Sequence, residues 1–221
     1  VYATAGSYQI KITTNPGGAF PNIYFNNAGD RLKVTSVDNL GVMGWLTLQR
    51  AFFGLANMTS FVVGKTNTTS VTNVIQMLSN NTSLTNVSFD GIDTSNVTTF
   101  ASMLSTCTSL PFVDARPLNT SSALTLNGMF FNGTSLTNIQ GAQNFNIGAL
   151  NATTSLDSFA TSVTLVTANY DAILINWDAQ NPFDGMSPNF GGSTYTGGGV
   201  AAAARANLIS TDGWTITDGG I

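Results

Sequence analysis

The stretch FDGIDTSNVTTFASMLSTCTSL, residues 89–110, decides the fold because its apolar residues recur 26 positions away on both sides. Leu110, which ends the stretch, aligns with Leu84 before it and Leu136 after it. Rows of 26 residues that begin at residue 45 therefore place the apolar residues in columns. The columns are Trp45, Val71, Val97, Ala123; Leu48, Val74, Phe100, Leu126; Ala51, Met77, Met103, Met129; Phe52, Leu78, Leu104, Phe130; Met58, Leu84, Leu110, Leu136; and Phe61, Val87, Val113, Ile139.

Each row predicts one short helix and one strand. Positions 71, 74, 77 and 78 follow helical spacing, and 84–89 is typical of a brief extended segment. A period in the twenties with a leucine-anchored strand and a helix indicates a leucine-rich solenoid, because a single repeat cannot bury its apolar side alone. We therefore expect an α/β solenoid, a right-handed stack with buried columns and parallel strands.

The two ends of the chain predict caps on this stack. Residues 7–35 alternate apolar and polar positions between turn-forming stretches, which predicts a small antiparallel β-meander. Helical spacing at 170–177 and 200–209, with a final strand at 214–217, predicts an α+β end. We expect an N-terminal β-meander cap at 1–40, the leucine-rich-repeat solenoid at 41–165 and a C-terminal capping segment at 166–221.

The composition excludes several classes of function. Only 8% of residues are charged, and 31 Thr and 24 Asn give a neutral, hydroxyl- and amide-rich surface. The seven Lys and Arg are scattered and the net charge is −4, so we expect no nucleic-acid partner. Since no stretch approaches the roughly 18 consecutive apolar residues of a membrane span, we also expect no membrane insertion.

The residue types argue against catalysis and against bound cofactors. His and Glu are absent, which removes the commonest general base and metal ligand. Asp90, Asp93 and Asp114 are candidates for a paired-carboxylate site, but Asp90 and Asp93 lie in the turn after a predicted strand, where Asp commonly caps or forms Asx-turns. Cys107 fits a small buried hydrophobe and cannot form an intrachain disulfide. We predict no catalytic residues and no cofactor.

A calcium site near the C-terminal end is the alternative that we considered for the remaining carboxylates. They are Asp178, Asp184, Asp212 and Asp218, and they lack the alternating acidic spacing of a known calcium loop. We therefore predict no metal site.

The outward positions of successive strands predict a binding face. Two ladders stack at a strand spacing of about 4.8 Å. The residues that we expect to bind are Asn86, Ser88, Phe112, Asp114, Asn138 and Gln140. Phe112 is the one large apolar residue among them, and an exposed aromatic of this kind stacks on a sugar or anchors a protein. The alternative is that Phe112 contacts a cap or a neighbouring subunit.

The row that contains residues 89–110 resembles the BspA-like leucine-rich repeat, whose repeats read much like FDTSNVTNMSxMFxxCxSL. Residues 50–58 and 128–136 fit the same template, so the resemblance covers about half of the chain. The family's cysteine is replaced by Leu55, Asn81 and Gly133 in the other rows. The C-terminal end is similar to segments that follow such repeats in bacterial surface proteins and phage tail or fibre proteins.

The resemblance implies a non-enzymatic extracellular, cell-surface or virion module that uses its solenoid for recognition or adhesion. The partners would be proteins or glycans on a cell surface. The first alternative is a structural subunit that self-assembles into a homo-oligomer, filament, fibre or capsid surface, which low charge density and stackable repeat ends favour. An Asp-dependent hydrolase is the remote alternative. Electron microscopy of the purified protein separates recognition from assembly.

Overall fold

The computed structural model describes all residues except 1–5, 14–17 and 19. Strands of two or three residues each form one side of the molecule. They are β1 (Ser36–Val37), β2 (Ser60–Val62), β3 (Asn86–Ser88), β4 (Phe112–Asp114) and β5 (Asn138–Gln140). They pair in parallel as a three-stranded sheet, β1-β2-β3, and a two-stranded sheet, β4-β5.

The strand register follows the 26-residue rows. Ser60 lies opposite Asn86 in the first sheet, and Phe112 lies opposite Asn138 in the second. Equivalent residues of consecutive rows are therefore neighbours in space. The shortest strand pair, β1 with β2, has a smaller offset, since Ser36 lies opposite Ser60.

A second set of backbone hydrogen bonds, which we call the turn ladder, joins the rows on another side. The Gln76 amide donates to the Ala101 carbonyl at 3.1 Å, and the Ser102 amide donates to Asn127 at 2.8 Å. The Gly128 amide continues the series by donating to Asp157 at 2.9 Å. Consecutive rows are thus bonded through their turns, and within each of the two sheets they are also bonded through their strands.

The prediction of a short helix in each row is wrong, because residues 75–80 and their equivalents form turns, and 71–74 are irregular apart from an isolated bridge at Asn73. Left-handed residues recur in this part of each row, at Gln76 (φ 52°) and Asn80 (φ 63°), then at Ser102 (φ 55°) and Thr106 (φ 58°). A right-handed helix cannot continue through a left-handed residue. Turns place an apolar residue inward at every third or fourth position, as a helix does. The spacing of the apolar residues therefore predicted a helix where the chain forms turns.

The prediction that the columns are buried is confirmed. Every residue of the six columns is buried, and the most exposed of them, Val87, retains 8% of its accessible surface. Leu84, Phe100 and Met103 are fully buried. One continuous core therefore runs along the rows, with each row supplying one layer.

The predicted N-terminal β-meander is wrong for the part of 7–35 that the structure describes, where no antiparallel strand pairing occurs. Phe20 instead forms a parallel bridge with Trp45, and the Asn27 amide donates to the Phe53 carbonyl at 2.9 Å. A 3-10 helix follows at Gly29–Lys33. This segment extends the stack by another irregular row, because several of its amides, between Phe20 and Asn27, donate to carbonyls of the following row.

Both predicted C-terminal helices are present, as α1 (Thr167–Asp178) and α2 (Val200–Ser210). The predicted strand at 214–217 does not form, and Thr217 makes only an isolated parallel bridge with Asn189. Trp214 is buried instead. No helix in the described ranges is long and apolar enough to cross a membrane.

The rows continue to stack in the C-terminal part of the chain, but hydrogen-bonded residues of consecutive rows lie farther apart in the sequence than 26 positions. The Phe130 amide donates to the Phe159 carbonyl, and the Ala160 amide donates to Asn189. Extra residues around 148–154 lengthen the fifth row, which explains why the sequence periodicity fades there while the hydrogen bonding persists.

Candidate recognition face

The strand face consists of the outward side chains of β3, β4 and β5, which are the six residues predicted to bind. Asn86 and Phe112 are exposed, and the other four are half-buried. The residue in the middle of each strand points into the core, since side chains alternate along an extended chain. The central residues are Val87, Val113 and Ile139, all buried.

The structure aligns the face residues within each sheet as predicted. Phe112 is opposite Asn138, and Asp114 is opposite Gln140. In the first sheet, the Asn86 side-chain amide donates to the Ser60 hydroxyl at 3.2 Å. The four positions on β4 and β5 therefore form one patch, and Asn86 and Ser88 belong to its neighbour.

Pro111 separates the two halves of the face. The Thr85 amide donates to Thr59 and the Thr137 amide donates to Pro111, each at 3.0 Å. Pro111 occupies the same column but has no amide hydrogen to give to Thr85. Residues 85–90 and 111–115, all of which the structure describes, accordingly share no backbone hydrogen bond. Pro111 is the sequence signal for this gap between the sheets, and the column pattern alone did not predict it.

Phe112 is the apolar centre of the strand face. Phe112 keeps 44% of its accessible surface. It directly follows Pro111 and lies opposite Asn138 in the sheet. An exposed aromatic ring with polar neighbours presents a flat apolar surface that can still be approached by hydrogen-bonding groups. This arrangement suits stacking against a sugar ring or insertion into a partner's pocket.

Asp114 is paired, which sequence analysis did not predict. Arg116 Nη2 lies 2.6 Å from Asp114 Oδ2, and Arg116 Nε donates to Oδ1 at 2.9 Å. Hydrogen bonding from the Arg116 guanidinium outweighs partial burial and holds the pKa of Asp114 below its usual value. The patch therefore offers a neutralised Asp–Arg pair and not a free carboxylate.

The remaining polar groups of the face are partly used within the fold. The Ser88 hydroxyl donates to Asp90 at 3.1 Å. The Asn138 Oδ1 atom is buried and has no hydrogen-bond partner among the described residues, so this oxygen is not available to an outside ligand. The Gln140 backbone carbonyl accepts from Ala115 at 2.8 Å.

Helix α1 closes the edge of the face beyond β5. The Ile139 amide donates to Asn169 Oδ1 at 2.9 Å, and Asn169 Nδ2 donates to the Ile139 carbonyl at 3.2 Å. One side chain thus makes the two bonds that another strand would make. The sequence did not predict this contact, because no local pattern around Asn169 indicates that its side chain bonds to Ile139.

Two of the carboxylates considered as catalytic or metal-binding groups, Asp93 and Asp218, have local structural roles. Asp93 accepts hydrogen bonds from the Ser95 amide and hydroxyl, as predicted for an Asx-turn, and these bonds lower its pKa. Asp218 is bonded to Arg205 and Tyr170. Within the described ranges, no group of three Asp or Cys residues could hold a metal ion.

Comparison with known proteins gives one family match. A family model described as "Mycoplasma protein of unknown function, DUF285" matches residues 46–170, which is more than half of the chain. No curated protein and no solved structure matches. The matched span contains β2 to β5, and therefore the whole strand face, and ends within α1.

Proposed function

This chain belongs to the DUF285 family of Mycoplasma proteins of unknown function, and we propose that it is a non-enzymatic recognition or adhesion module. Its partner is a protein or glycan on a cell surface, and the chain works outside the cell or on a virion. The observation that carries the proposal is the patch on β4 and β5. There, half-exposed Phe112 lies among Asn138, Gln140 and the Asp114–Arg116 pair.

The composition of this patch supports recognition. Aromatic and Arg residues are the types that contribute most to the binding energy of protein interfaces. The polar residues around them exclude water from the contact. The short strands supply a rigid base, because each is bonded to its neighbour and buries its central residue. A partner therefore meets a preformed surface.

We further propose that the rows are BspA-like leucine-rich repeats arranged as an α/β solenoid. Support comes from the parallel register, the turn ladder and the buried columns. Turns replace the expected helix in each row, so the likeness rests on the strands and the core. The family match to 46–170 fits this interpretation, since that span contains the rows.

Self-assembly is the second candidate function, and the edge of β1 favours it. Within the described residues β1 pairs only with β2, which leaves its other edge without a strand. An unpaired edge can accept a strand from another molecule. Catalysis has less support, since Asp93 and Asp114 are each engaged by local hydrogen bonds.

The test compares Phe112→Ala with Leu124→Ala. Leu124 is a matched control because it is equally exposed, at 46% against 44%, and lies next to the turn ladder. Labelled protein is applied to a printed array of extracellular-matrix proteins and glycans. We expect Phe112→Ala to weaken binding by roughly tenfold or more, the effect of losing one central aromatic contact, and Leu124→Ala to bind like the parent.

Two further variants define the extent of the face. Asn86→Ala probes the sheet beyond Pro111, and Asp114→Ala removes the ion pair. Circular dichroism confirms that each variant is folded. If all three face variants bind like the parent, the strand face is not the working surface. Filaments or rings in electron micrographs of the parent, lost with substitutions at Ser36 or Val37, would favour assembly.

A further inference from the structure

A shallow polar depression lies near the C-terminal end, away from the strand face. Its volume is about 440 Å³. Three successive rows contribute to it, through residues around 154–158, 187–189 and 215–217. Its lining includes Thr154, Asp157, Ser158, Ser187, Thr215 and Thr217. The turn ladder forms its floor, since the Gly128 amide donates to the Asp157 carbonyl and Thr217 bridges to Asn189.

The polar side chains of this depression are open to an outside ligand, whereas several threonine hydroxyls elsewhere bond between rows. In the rows, threonine hydroxyls donate to the next or previous row, as Thr85 does to the Thr59 carbonyl at 3.1 Å. Thr125 donates likewise to Ser155 at 3.3 Å. Thr154, Ser187, Thr215 and Thr217 are exposed and Asp157 is half-buried, so a ligand can reach their polar groups. Hydroxyl groups and one carboxylate therefore converge on an open surface.

The charge of the depression selects the ligand class. Asp157 is its one carboxylate, and no Lys or Arg belongs to its lining. An anionic ligand would meet a negative group without compensation. Calcium takes roughly six to eight oxygen ligands and usually several carboxylates, so one Asp among hydroxyls is a poor cation site. A neutral ligand rich in hydroxyl groups is the chemistry that remains.

We propose that this depression binds a neutral saccharide. Ser and Thr hydroxyls both donate and accept, and an ionised carboxylate accepts two hydroxyl hydrogens, which matches adjacent hydroxyls on a sugar ring. Asp157 supplies the carboxylate at one edge of the site, the row of Ser187 lies next to it, and the row of Thr215 and Thr217 lies beyond. Because the site has no aromatic lining residue and is open to solvent, we expect weak binding, with a dissociation constant on the order of 1 mM.

This site is independent of the strand face. Asp157 lies in the turn ladder, roughly half a row from the strand positions, and no face residue belongs to the depression. Substitutions on one site therefore leave the other intact. The failure of either proposal can be recognised separately.

The experiment is a nuclear magnetic resonance titration of isotope-labelled full chain. The probes are the methyl glycosides of glucose, galactose, mannose and N-acetylglucosamine. We expect saturable shifts at the amides of Asp157, Ser187 and Thr217 with at least one of them. Asp157→Asn should weaken that binding roughly tenfold, because it replaces a charge-assisted acceptor by a neutral amide. Asp30→Asn, at an exposed carboxylate outside both the depression and the strand face, is the matched control and should bind like the parent.

The spectrum of Asp157→Asn also shows whether the variant is folded. If it is not, the double variant Ser187→Ala/Thr217→Val removes two hydroxyls from exposed positions and should abolish the shifts. The proposal is overturned if none of the four glycosides gives saturable shifts. It is equally overturned if the folded variants bind as the parent does, or if calcium or glucuronate binds at these amides in preference to the neutral sugars.

Discussion

Buried hydroxyl groups join the rows from within. Thr68 Oγ1 donates to the Asp93 carbonyl and accepts from the Asp93 amide, both at 2.9 Å. Thr94 repeats the arrangement with Asn119, at 2.9 and 2.8 Å. Thr120 accepts from the Asn146 amide at 2.7 Å. A single buried oxygen thus satisfies two backbone groups of the next row, which a purely apolar core could not do.

Thr94→Val tests this contribution. Valine keeps the shape but leaves the Asn119 amide and carbonyl without a partner, so we expect the free energy of unfolding to fall by about 1–3 kcal/mol. Thr98→Val is the matched control, since Thr98 is exposed and donates one bond to the Thr72 carbonyl. Urea denaturation measures both. An equal loss in the two variants would show that burial of the hydroxyl is unimportant.

Cys107 should be inert in the folded protein. The thiol is buried, donates to the Leu78 carbonyl at 3.2 Å, and has its pKa raised to about 12 by burial. The thiolate is the reactive form. We expect a thiol reagent to label Cys107 only when the protein unfolds, so that the labelling rate follows denaturant concentration. Rapid labelling under native conditions contradicts this.

We expect the Asp212 carboxylate to destabilise the folded protein at neutral pH. Burial, with Asp178 and Asp184 nearby, raises its pKa, and its Oδ2 atom is buried without a partner among the described residues. A pKa raised in the folded state means that stability increases as pH falls through that value. Asp212→Asn should raise the thermal midpoint at neutral pH, with the gain shrinking on acidification. Asp184→Asn, at an exposed carboxylate, should change it less, and a lower midpoint for Asp212→Asn would refute the argument.

At the scale of elements, the strands and α1 meet at one side chain. Asn169 supplies both hydrogen bonds at the β5 edge, so Asn169→Leu frees the Ile139 amide and carbonyl. We expect a loss of about 1–3 kcal/mol in unfolding free energy and concentration-dependent association through the opened edge. The measurements are urea denaturation and light scattering.

Asn176→Leu is the control on the same helix, because its amide bonds only to the Ala172 carbonyl one turn earlier. That variant should stay monomeric if the parent is. Association of both variants to the same extent would point to added surface hydrophobicity and not to the strand edge.

The elements divide into those that sequence could specify and those that it could not. Val87, Val113 and Ile139 fix the strands, because only a 26-residue register buries all three together. Helices α1 and α2 follow from local spacing. The turns of each row depend on left-handed residues such as Gln76 and Ser102, whose side chains carry no preference for that conformation. Tertiary bonds of the turn ladder hold them there.

At the scale of the whole molecule, Asp218 fastens the last row to both helices. Its carboxylate accepts from Arg205 Nε at 2.7 Å and from the Tyr170 hydroxyl at 2.6 Å. Burial alone would raise the pKa of Asp218, but the bonds from Arg205 and Tyr170 prevail and lower it. Stability from this group is complete above the ordinary Asp pKa of about 3.9 and is lost as pH falls through the lower folded value.

Asp218→Asn should therefore cost about 3 kcal/mol at neutral pH, since it leaves Arg205 partly buried without its charge partner. The variant should also show a smaller loss of stability between mildly and strongly acidic pH than the parent. Asp30→Asn breaks an ion pair with Lys33 in which both side chains are more than three-quarters exposed, and should have almost no effect. The measurement is the thermal unfolding midpoint of the parent and the two variants over a series of pH values. Parallel pH profiles of parent and Asp218→Asn would contradict the assignment.

The strand face was predictable at this scale only in outline. Its six positions follow from counting rows, and Phe112 is exposed as expected. The pairing of Asp114 with Arg116 depends on side-chain conformation after the strand ends. The depression around Asp157 joins residues from three rows after the 26-residue period has lengthened, so no fixed spacing could reveal it.

Pro111 has a consequence for how such a chain can change its length in evolution. Its row, 97–122, lies between two rows whose strands begin after Thr85 and Thr137, and both of these residues have amide hydrogens. Recombination between repeated codons that deleted this one row would bring Asn86 opposite Asn138. The Thr137 amide would then face the Thr85 carbonyl, and the two small sheets would merge into one. Gain or loss of a single proline-bearing unit thereby sets whether a descendant gene encodes a divided surface or a continuous one.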